Sequence, residues 1–159
     1  MRASILGVCG SLVLTLALVV PAGAAGPAGT WKLNVAKSSY SPVPGPKSAT
    51  IKIVAIDNGL TLTNDGIGAD GKPTHVEYTA HYDGKDVAAT VGALPNGADR
   101  VSFKMIDANT FEMIAKLKGK VLATSHIVYS ADGKTRTNTV TGTTPDGKPL
   151  KNVIVYDKQ

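Results

Sequence analysis

The sequence predicts an all-β protein: a single antiparallel up-and-down meander that closes into a barrel of about ten strands. From Gly29 onward it consists of short runs rich in Thr, Val and Ile, and no segment repeats apolar residues with a helical period. Turn residues separate these runs at intervals of about ten residues, and Asp-Gly and Asn-Gly pairs supply the positive backbone angles of tight hairpins. The predicted strands span residues 29–35, 48–57, 59–65, 73–82, 86–92, 99–106, 110–117, 120–130, 134–143 and 149–157.

The short connections decide how these strands are arranged. Nearly every link has hairpin length, which predicts strands paired in chain order. Ten twisted strands close into a barrel rather than leave two exposed edges. A two-sheet sandwich is the alternative, and it usually needs longer crossover connections. The one long link, residues 36–47, contains Pro42, Pro44 and Pro46, which exclude a helix interior and predict a covering loop or lid at one end of the barrel.

Residues 1–24 have the features of a secretory signal peptide. Arg2 precedes an apolar run from Ile5 to Val20, and a stretch of small residues ending at Ala24 follows. The alternative, a membrane anchor, requires about 20 continuous apolar residues, which this run does not reach. We therefore expect cleavage after Ala24, a barrel domain of residues 25–159, and a secreted or periplasmic protein with no membrane span.

Composition excludes several classes of function. The chain carries a formal net charge of +5, but its basic residues form no stripe and are not interleaved with aromatic residues, so no nucleic-acid partner is expected. The single cysteine, Cys9, lies in the predicted signal, and the barrel domain therefore has no disulfide and no thiol chemistry. The predicted outward positions carry Lys, Glu, Thr and Asp, whereas a transmembrane barrel has an apolar outer face, so that class is excluded as well.

Alternation along the strands assigns side chains to the inner and outer faces of the barrel. On two neighbouring strands the predicted inward set is Val101, Phe103, Met105, Phe111, Met113, Ala115 and Leu117. On a later strand the predicted outward set is a ladder of threonines: Thr135, Thr137, Thr139 and Thr141. Because the threonines face outward, this register turns Arg136 and Asn138 toward the interior.

Motifs for metal binding and catalysis are not found in the sequence. His75, Glu77 and His81 share one face of a strand, but His81 lies too far along to complete a metal site with the other two. A solvated polar face accounts for them, and we expect neither a metal nor a cofactor. No nucleophile elbow, zinc motif or phosphate loop occurs, and most acids sit in hairpin turns. A small hydrolase or isomerase that assembles His, Ser and Asp from separate strands is one alternative function.

Both ends of the barrel domain resemble a known superfamily. Gly29-Thr30-Trp31-Lys32-Leu33 resembles the opening Gly-x-Trp signature of the calycins, the lipocalins and the intracellular fatty-acid-binding proteins, and the last strand, residues 153–158, resembles that of the fatty-acid-binding proteins. The chain is also similar to small exported bacterial lipocalin-like proteins of unassigned function. The resemblance implies a barrel that encloses a lumen for a lipid or other small apolar ligand, with Trp31 packed at the closed end.

These observations favour an exported barrel that binds an apolar or amphipathic, lipid-like molecule, because ten strands enclose space beyond a filled core. The candidate lumen residues are Trp31, Tyr78, Tyr82, Phe103, Met105, Phe111, Met113, Arg136 and Tyr156. Fatty-acid-binding proteins have an Arg-x-Tyr clamp on the last strand, where this chain has Ile154 and Tyr156; Arg136 could replace the missing arginine, because a buried guanidinium needs an anionic partner. The alternatives are a surface position for Arg136 and, for the whole chain, a filled-core β domain that acts as a surface or interaction protein.

Overall fold

A computed structural model of the protein describes residues 26–159, and the predicted signal peptide lies outside the described residues. The ten strands are β1 Gly29–Leu33, β2 Ser48–Ile56, β3 Gly59–Ile67, β4 Pro73–His81, β5 Val91–Gly92, β6 Arg100–Met105, β7 Thr110–Leu117, β8 Lys120–Tyr129, β9 Thr135–Thr143 and β10 Pro149–Lys158. Single 3₁₀ turns occur at Val35–Lys37 and Pro95–Gly97. The predicted all-β class and strand number are therefore confirmed.

All ten strands belong to one antiparallel sheet in the order β5-β4-β3-β2-β1-β10-β9-β8-β7-β6. Strands that are adjacent in the chain pair with each other, except β5 and β6, which form the two ends of the sheet, and the first and last strands also pair with each other. The sheet curls until the segment after β4 meets β6: Val87 and Val101 exchange two backbone hydrogen bonds of 2.7 and 2.9 Å, and Gly84 N donates to Phe103 O at 2.9 Å. This is the predicted up-and-down meander, curled into a partly closed barrel.

The predicted strand 86–92 is shorter than expected, and β5 contains only Val91 and Gly92. The reason is that this segment changes partner. Val87 bonds to Val101 of β6, whereas Thr90 N donates to Glu77 O of β4 at 2.8 Å. Because the chain crosses from one edge of the sheet to the other over these few residues, it cannot form a continuous ladder with either.

The hairpin turns use their acids as the sequence predicts. In Asp70, Asp83 and Asp132 the carboxylate accepts a hydrogen bond from the backbone N–H two residues later, at 3.0 to 3.1 Å. The backbone hydrogen bond holds the pKa of Asp83 below the ordinary value, and the hydrogen bond from the Ser130 hydroxyl, with the backbone bond, does the same for Asp132. The acids therefore shape the backbone at the rims of the barrel, where they are exposed to solvent.

Four aromatic residues fill one end of the barrel interior. Trp31 is fully buried, its Nε1 donates to Pro27 O at 2.9 Å, and its ring lies edge-on to Tyr129 with centroids 5.1 Å apart. Phe111 contacts both Tyr129 and Tyr82, with centroid distances of 5.8 and 5.0 Å. We call Trp31, Tyr82, Phe111 and Tyr129 the aromatic cluster. The expected packing of the tryptophan inside the barrel is confirmed.

Alternation gives the correct face at most of the predicted positions. Arg136 and Asn138 are 4% and 8% exposed, as the outward threonine ladder predicts. The inward prediction for Met105 is wrong, since its side chain is 52% exposed. Met105 is the last residue of β6 and lies beyond the hydrogen bond from Gly84 to Phe103, so no neighbouring segment covers it.

Candidate functional site

A cavity of about 450 Å³ occupies the barrel interior and is partly open to solvent. Its mouth lies between three segments: residues 43–46 of the proline-containing link, the first residues of β4, and residues 93–96. These segments connect or begin strands at one end of the sheet, whereas the start of β1, with Trp31, lies at the other. The volume falls in the range of small-molecule sites, which is about 300–1,000 Å³.

The cavity has one wall that is mainly apolar, apart from Asn64 of β3, and one wall that carries most of the polar side chains. The apolar wall comes from β2, β3 and β4, whose inward side chains there include Ala49, Ile51, Leu62 and Val76. The polar wall comes from β8, β9 and β10 and contains Ser125, Arg136, Asn138 and Asn152. Since each strand contributes alternate residues to the interior, these two sets are fixed by the register of the sheet. The polar and apolar side chains are therefore unevenly distributed around the cavity.

Arg136 is the one buried charged side chain among residues 26–159. It lies on β9 directly opposite Tyr129 of β8 and Tyr156 of β10. Its Nε donates to the Tyr129 hydroxyl at 3.1 Å, and its Cζ lies 5.1 Å from the centroid of the Tyr156 ring. Its Nη1 is buried and has no hydrogen-bond partner in the described part of the chain. The guanidinium is thus held in place with donor capacity left over.

The electrostatics keep Arg136 charged and the phenols of Tyr78 and Tyr156 protonated. Burial acts to lower the pKa of Arg136, but the interactions with Tyr129 and Tyr156 outweigh it and the pKa is raised. Burial raises the pKa of Tyr78 and Tyr156, so both phenols stay protonated. The ion pairs found within residues 26–159 all involve cations other than Arg136. The cavity wall therefore carries a positive charge with no carboxylate of the described chain to neutralise it.

The nine predicted lumen residues divide into three groups. Tyr78, Met113, Arg136 and Tyr156 line the cavity. Four more pack in the interior outside the cavity: Trp31, Tyr82 and Phe111 belong to the aromatic cluster, and Phe103 packs against Tyr78 with ring centroids 5.9 Å apart. Met105 is exposed and belongs to neither group. Alternation distinguishes inside from outside, but it does not give the height of a residue along the barrel axis.

Tyr40 is a cavity residue that the sequence did not suggest. It comes from the long link, whose backbone runs beside β10: Ser39 exchanges hydrogen bonds of 2.8 and 2.9 Å with Val153, and Lys151 N donates to Ser41 O at 3.0 Å. The Tyr40 ring packs on Gly45, where a β-carbon would collide with it. Burial, with a contribution from Tyr156, raises the pKa of Tyr40 to about 12. The available signal was an aromatic residue at the start of the proline-containing segment that ends at Pro46.

The asparagines of the cavity are also absent from the predicted site, although Asn138 was expected to face inward. Asn152 Oδ1 accepts a hydrogen bond of 3.1 Å from Ser41 N, which ties the proline-containing link to the wall. Asn138 and Asn64 differ from it, because the Oδ1 atom of each is buried without a partner among the described residues. The inward register of β9 was the signal for Asn138, and nothing in the sequence singled out Asn64.

The two histidines of β4 are exposed, and His75, near the start of the strand, also borders the mouth of the cavity. His75 Nδ1 lies 2.6 Å from Asp65 Oδ1, and its Nε2 lies 3.4 Å from Glu77 Oε1. The hydrogen bond with Asp65 raises the pKa of His75. His81 Nδ1 is next to Asp57 O at 3.2 Å instead. Within the described residues, no group of three or more His, Cys, Asp or Glu side chains is arranged to hold a metal ion.

The described chain is thus a ten-stranded antiparallel meander with a buried tryptophan near its start and an internal cavity. The structure of zebrafish ileal bile acid-binding protein in complex with cholic acid is similar to this chain, with a TM-score of 0.52 and 13% sequence identity over 83% of this chain and 98% of the zebrafish protein. At that identity the similarity establishes the fold, and it confirms the predicted resemblance at that level. No protein-family model and no curated protein sequence matches the chain. Among the described residues, no helix has the length and apolar character needed to cross a membrane.

Proposed function

We propose that the protein is an exported barrel that binds an amphipathic, lipid-like acid, with the anionic group of the ligand at Arg136. The observation that carries this proposal is the buried Arg136 Nη1, which has no partner in residues 26–159 and belongs to a side chain lining a cavity of about 450 Å³. A carboxylate at this position would accept a charge-assisted hydrogen bond, which is among the stronger interactions in protein interiors.

The energetic argument concerns a charge held away from water. A buried ion without a counterion is costly, and an anionic ligand that enters the cavity removes that cost as it binds. The apolar wall formed by β2, β3 and β4 would at the same time cover the hydrocarbon part of the ligand. The two walls together support an amphipathic acid over a fully apolar molecule. The size of the cavity favours a binding function over the filled-core alternative.

The structural similarity supports the same class of ligand. The zebrafish protein is complexed with cholic acid, which is an amphipathic carboxylic acid. The arginine proposed here lies on β9, opposite Tyr156 of β10. The anion would then be held inside the cavity by an arginine of β9 rather than by an arginine of the last strand, β10.

The binding experiment compares two ligands that differ in their head group. Octadecanoate and octadecanol are titrated into the native protein and Arg136→Leu, and Kd is measured by displacement of a fluorescent apolar probe. We expect Arg136→Leu to weaken octadecanoate binding roughly 10- to 100-fold, the range of a hydrogen bond to a charged group, and to leave octadecanol binding within about twofold. Arg100→Leu is the matched control, because Arg100 is exposed on the outside of β6. Equal octadecanoate affinity in the native protein and Arg136→Leu would refute the proposal.

Export is proposed from residues 1–24 and is tested separately. Their basic start, apolar run and small residues before Ala25 are the features of a cleaved signal. The protein expressed with its complete N-terminus in a bacterial host is expected to reach the periplasm or the medium with Ala25 as its first residue. Cytoplasmic protein that begins at Met1 would contradict export, and it would leave the binding proposal unaffected.

A further inference from the structure

Two asparagines that line the cavity, the buried Asn138 and the half-buried Asn64, have amide oxygens with unused hydrogen-bonding capacity. Asn138 is 8% exposed, and both Asn138 and Asn64 line the cavity. Their Oδ1 atoms are buried and accept no hydrogen bond from any residue between 26 and 159. Buried polar groups are normally paired, because a buried carbonyl that has lost its hydrogen bonds to water destabilises the folded protein. Two such groups on the wall of one cavity therefore require an explanation.

Asn152 shows what a structural asparagine does on the same wall. Its Oδ1 accepts the hydrogen bond of 3.1 Å from Ser41 N and so has a function within the fold. Asn138 and Asn64 make no comparable bond through Oδ1 in the described chain. The packing needs no polar group at either position, since apolar side chains occupy the neighbouring strands: Asn138 pairs with Ile127 and Ile154, and Asn64 with Ile51 and Val76.

The placement of the two amides relative to Arg136 defines a second polar region of the site. Asn138 is two residues from Arg136 on β9, which puts the two inward side chains about 6.6 Å apart along the strand. Asn64 lies on β3, and β2, β1 and β10 separate it from β9, so it belongs to the other wall. A ligand with its acid group at Arg136 would pass next to Asn138 and would have Asn64 across the cavity.

We infer that the ligand is a hydroxylated amphipathic acid, and that Asn138 and Asn64 select it by hydrogen bonding to hydroxyl groups on its hydrocarbon part. A hydroxyl fits because it both donates and accepts, and it therefore pairs with an amide whichever of its two ends faces the ligand. A plain fatty acid would cover the two amides with methylene groups and leave them unpaired. This inference rests on the proposed function, since the anchored acid group positions the hydroxyl.

The test is a series of octadecanoates that differ only in the position of one hydroxyl. Octadecanoate and its 3-, 9- and 12-hydroxy derivatives are titrated calorimetrically into the native protein, Asn138→Leu and Asn64→Leu. We expect at least one hydroxylated acid to bind the native protein about tenfold more tightly than octadecanoate, the effect of one buried neutral hydrogen bond. In the variant that lacks its partner amide, this preference is expected to fall below about twofold, while octadecanoate affinity is retained.

Asn109→Leu is the matched control. Asn109 also has a buried Oδ1 without a partner in the described chain, but it lies in the turn before β7 and does not line the cavity. This variant should keep the full hydroxyl preference. A second readout is thermal unfolding without ligand: Asn138→Leu should raise Tm, because it removes an unpaired buried carbonyl, whereas replacing an asparagine with a structural role would lower Tm.

Two results would overturn the inference: no hydroxylated acid preferred by the native protein, or a preference that survives unchanged in both asparagine variants. Octadecanol and 1,12-octadecanediol separate this failure from failure of the proposed function, since they test hydroxyl recognition without an acid group. If the native protein binds the diol more tightly than octadecanol, but Arg136→Leu does not change the affinity for the acids, only the proposed role of Arg136 fails. If octadecanoate binding depends on Arg136 but no hydroxylated acid binds more tightly than octadecanoate, only the inference about hydroxyl groups fails.

Discussion

The two ends of the barrel interior use the same strand alternation for opposite purposes. In the aromatic cluster the two fully enclosed polar side chains have partners within the fold: Trp31 Nε1 donates to Pro27 O, and the Tyr129 hydroxyl accepts from Arg136. Around the cavity, Arg136 Nη1, Asn64 Oδ1 and Asn138 Oδ1 have none within residues 26–159. The first end stabilises the fold, whereas under the proposed function the second end retains polar groups, at a cost to stability, in order to bind a ligand.

The largest effect is expected at the aromatic end. Trp31→Ala removes the fully buried indole and leaves a cavity among Tyr129 and the strands around it. We expect a loss of about 3–5 kcal/mol in the free energy of unfolding, measured by urea denaturation. Val54→Ala on the outer face is a control with a small expected effect, because Val54 is exposed. A loss below about 1 kcal/mol for Trp31→Ala would show that this end does not carry the stability assigned to it.

At the cavity end, removal of the charge is expected to have the opposite sign. Arg136→Leu replaces a buried guanidinium that has no ion-pair partner in the described chain with an apolar side chain. Replacing a buried ion pair by apolar side chains is often stabilising by about 1–4 kcal/mol. Because Arg136 has no counterion in the described chain to offset its desolvation, we expect a gain of similar size for the ligand-free protein. Urea denaturation of native and variant protein measures it. A clear loss of stability would mean that Arg136 is a structural residue.

Tyr129 connects the two ends and provides a test of how separate they are. Its ring contacts Trp31 and Phe111, and its hydroxyl accepts the Arg136 Nε hydrogen bond of 3.1 Å. Tyr129→Phe keeps the ring and leaves Nε unpaired, so we expect a loss of about 1–3 kcal/mol in unfolding free energy together with weaker octadecanoate binding. Calorimetry on the same preparations measures both. Weaker folding with unchanged binding would show that the hydroxyl does not position the guanidinium.

The smallest effect is expected at the cavity rim, outside both walls. The hydrogen bond with Asp65 raises the folded-state pKa of His75 above its ordinary value near 6.5. The protonated form therefore stabilises the fold fully below the unfolded pKa, and this contribution is lost as the pH rises through the folded pKa. We expect a small decrease in Tm between pH 6 and pH 8 that is absent in His75→Gln. An equal decrease in His75→Gln would assign the pH dependence to other groups.

Much of the fold could be predicted from the sequence because its signals are local. The Asp-Gly and Asn-Gly turns mark the strand ends closely, and the threonine ladder of β9 places Arg136 inside. The errors arise where the answer depends on distant parts of the chain. Met105 has the correct alternation but no covering segment, and residues 86–92 change partner between two strands. Tyr40 belongs to a link without periodicity, so the sequence does not indicate which way its side chain points. The structure shows that it packs on Gly45 and lines the cavity.

Native mass spectrometry of the protein purified from its own host, beside Arg136→Leu purified in the same way, tests the central claim most directly. Denaturation and analysis of the released molecules then identify any ligand. We expect one amphipathic acid per native chain and its loss from the variant. A native protein that is empty, or that carries the same molecule in equal amount in both forms, would contradict the assignment of Arg136 as the group that holds the ligand.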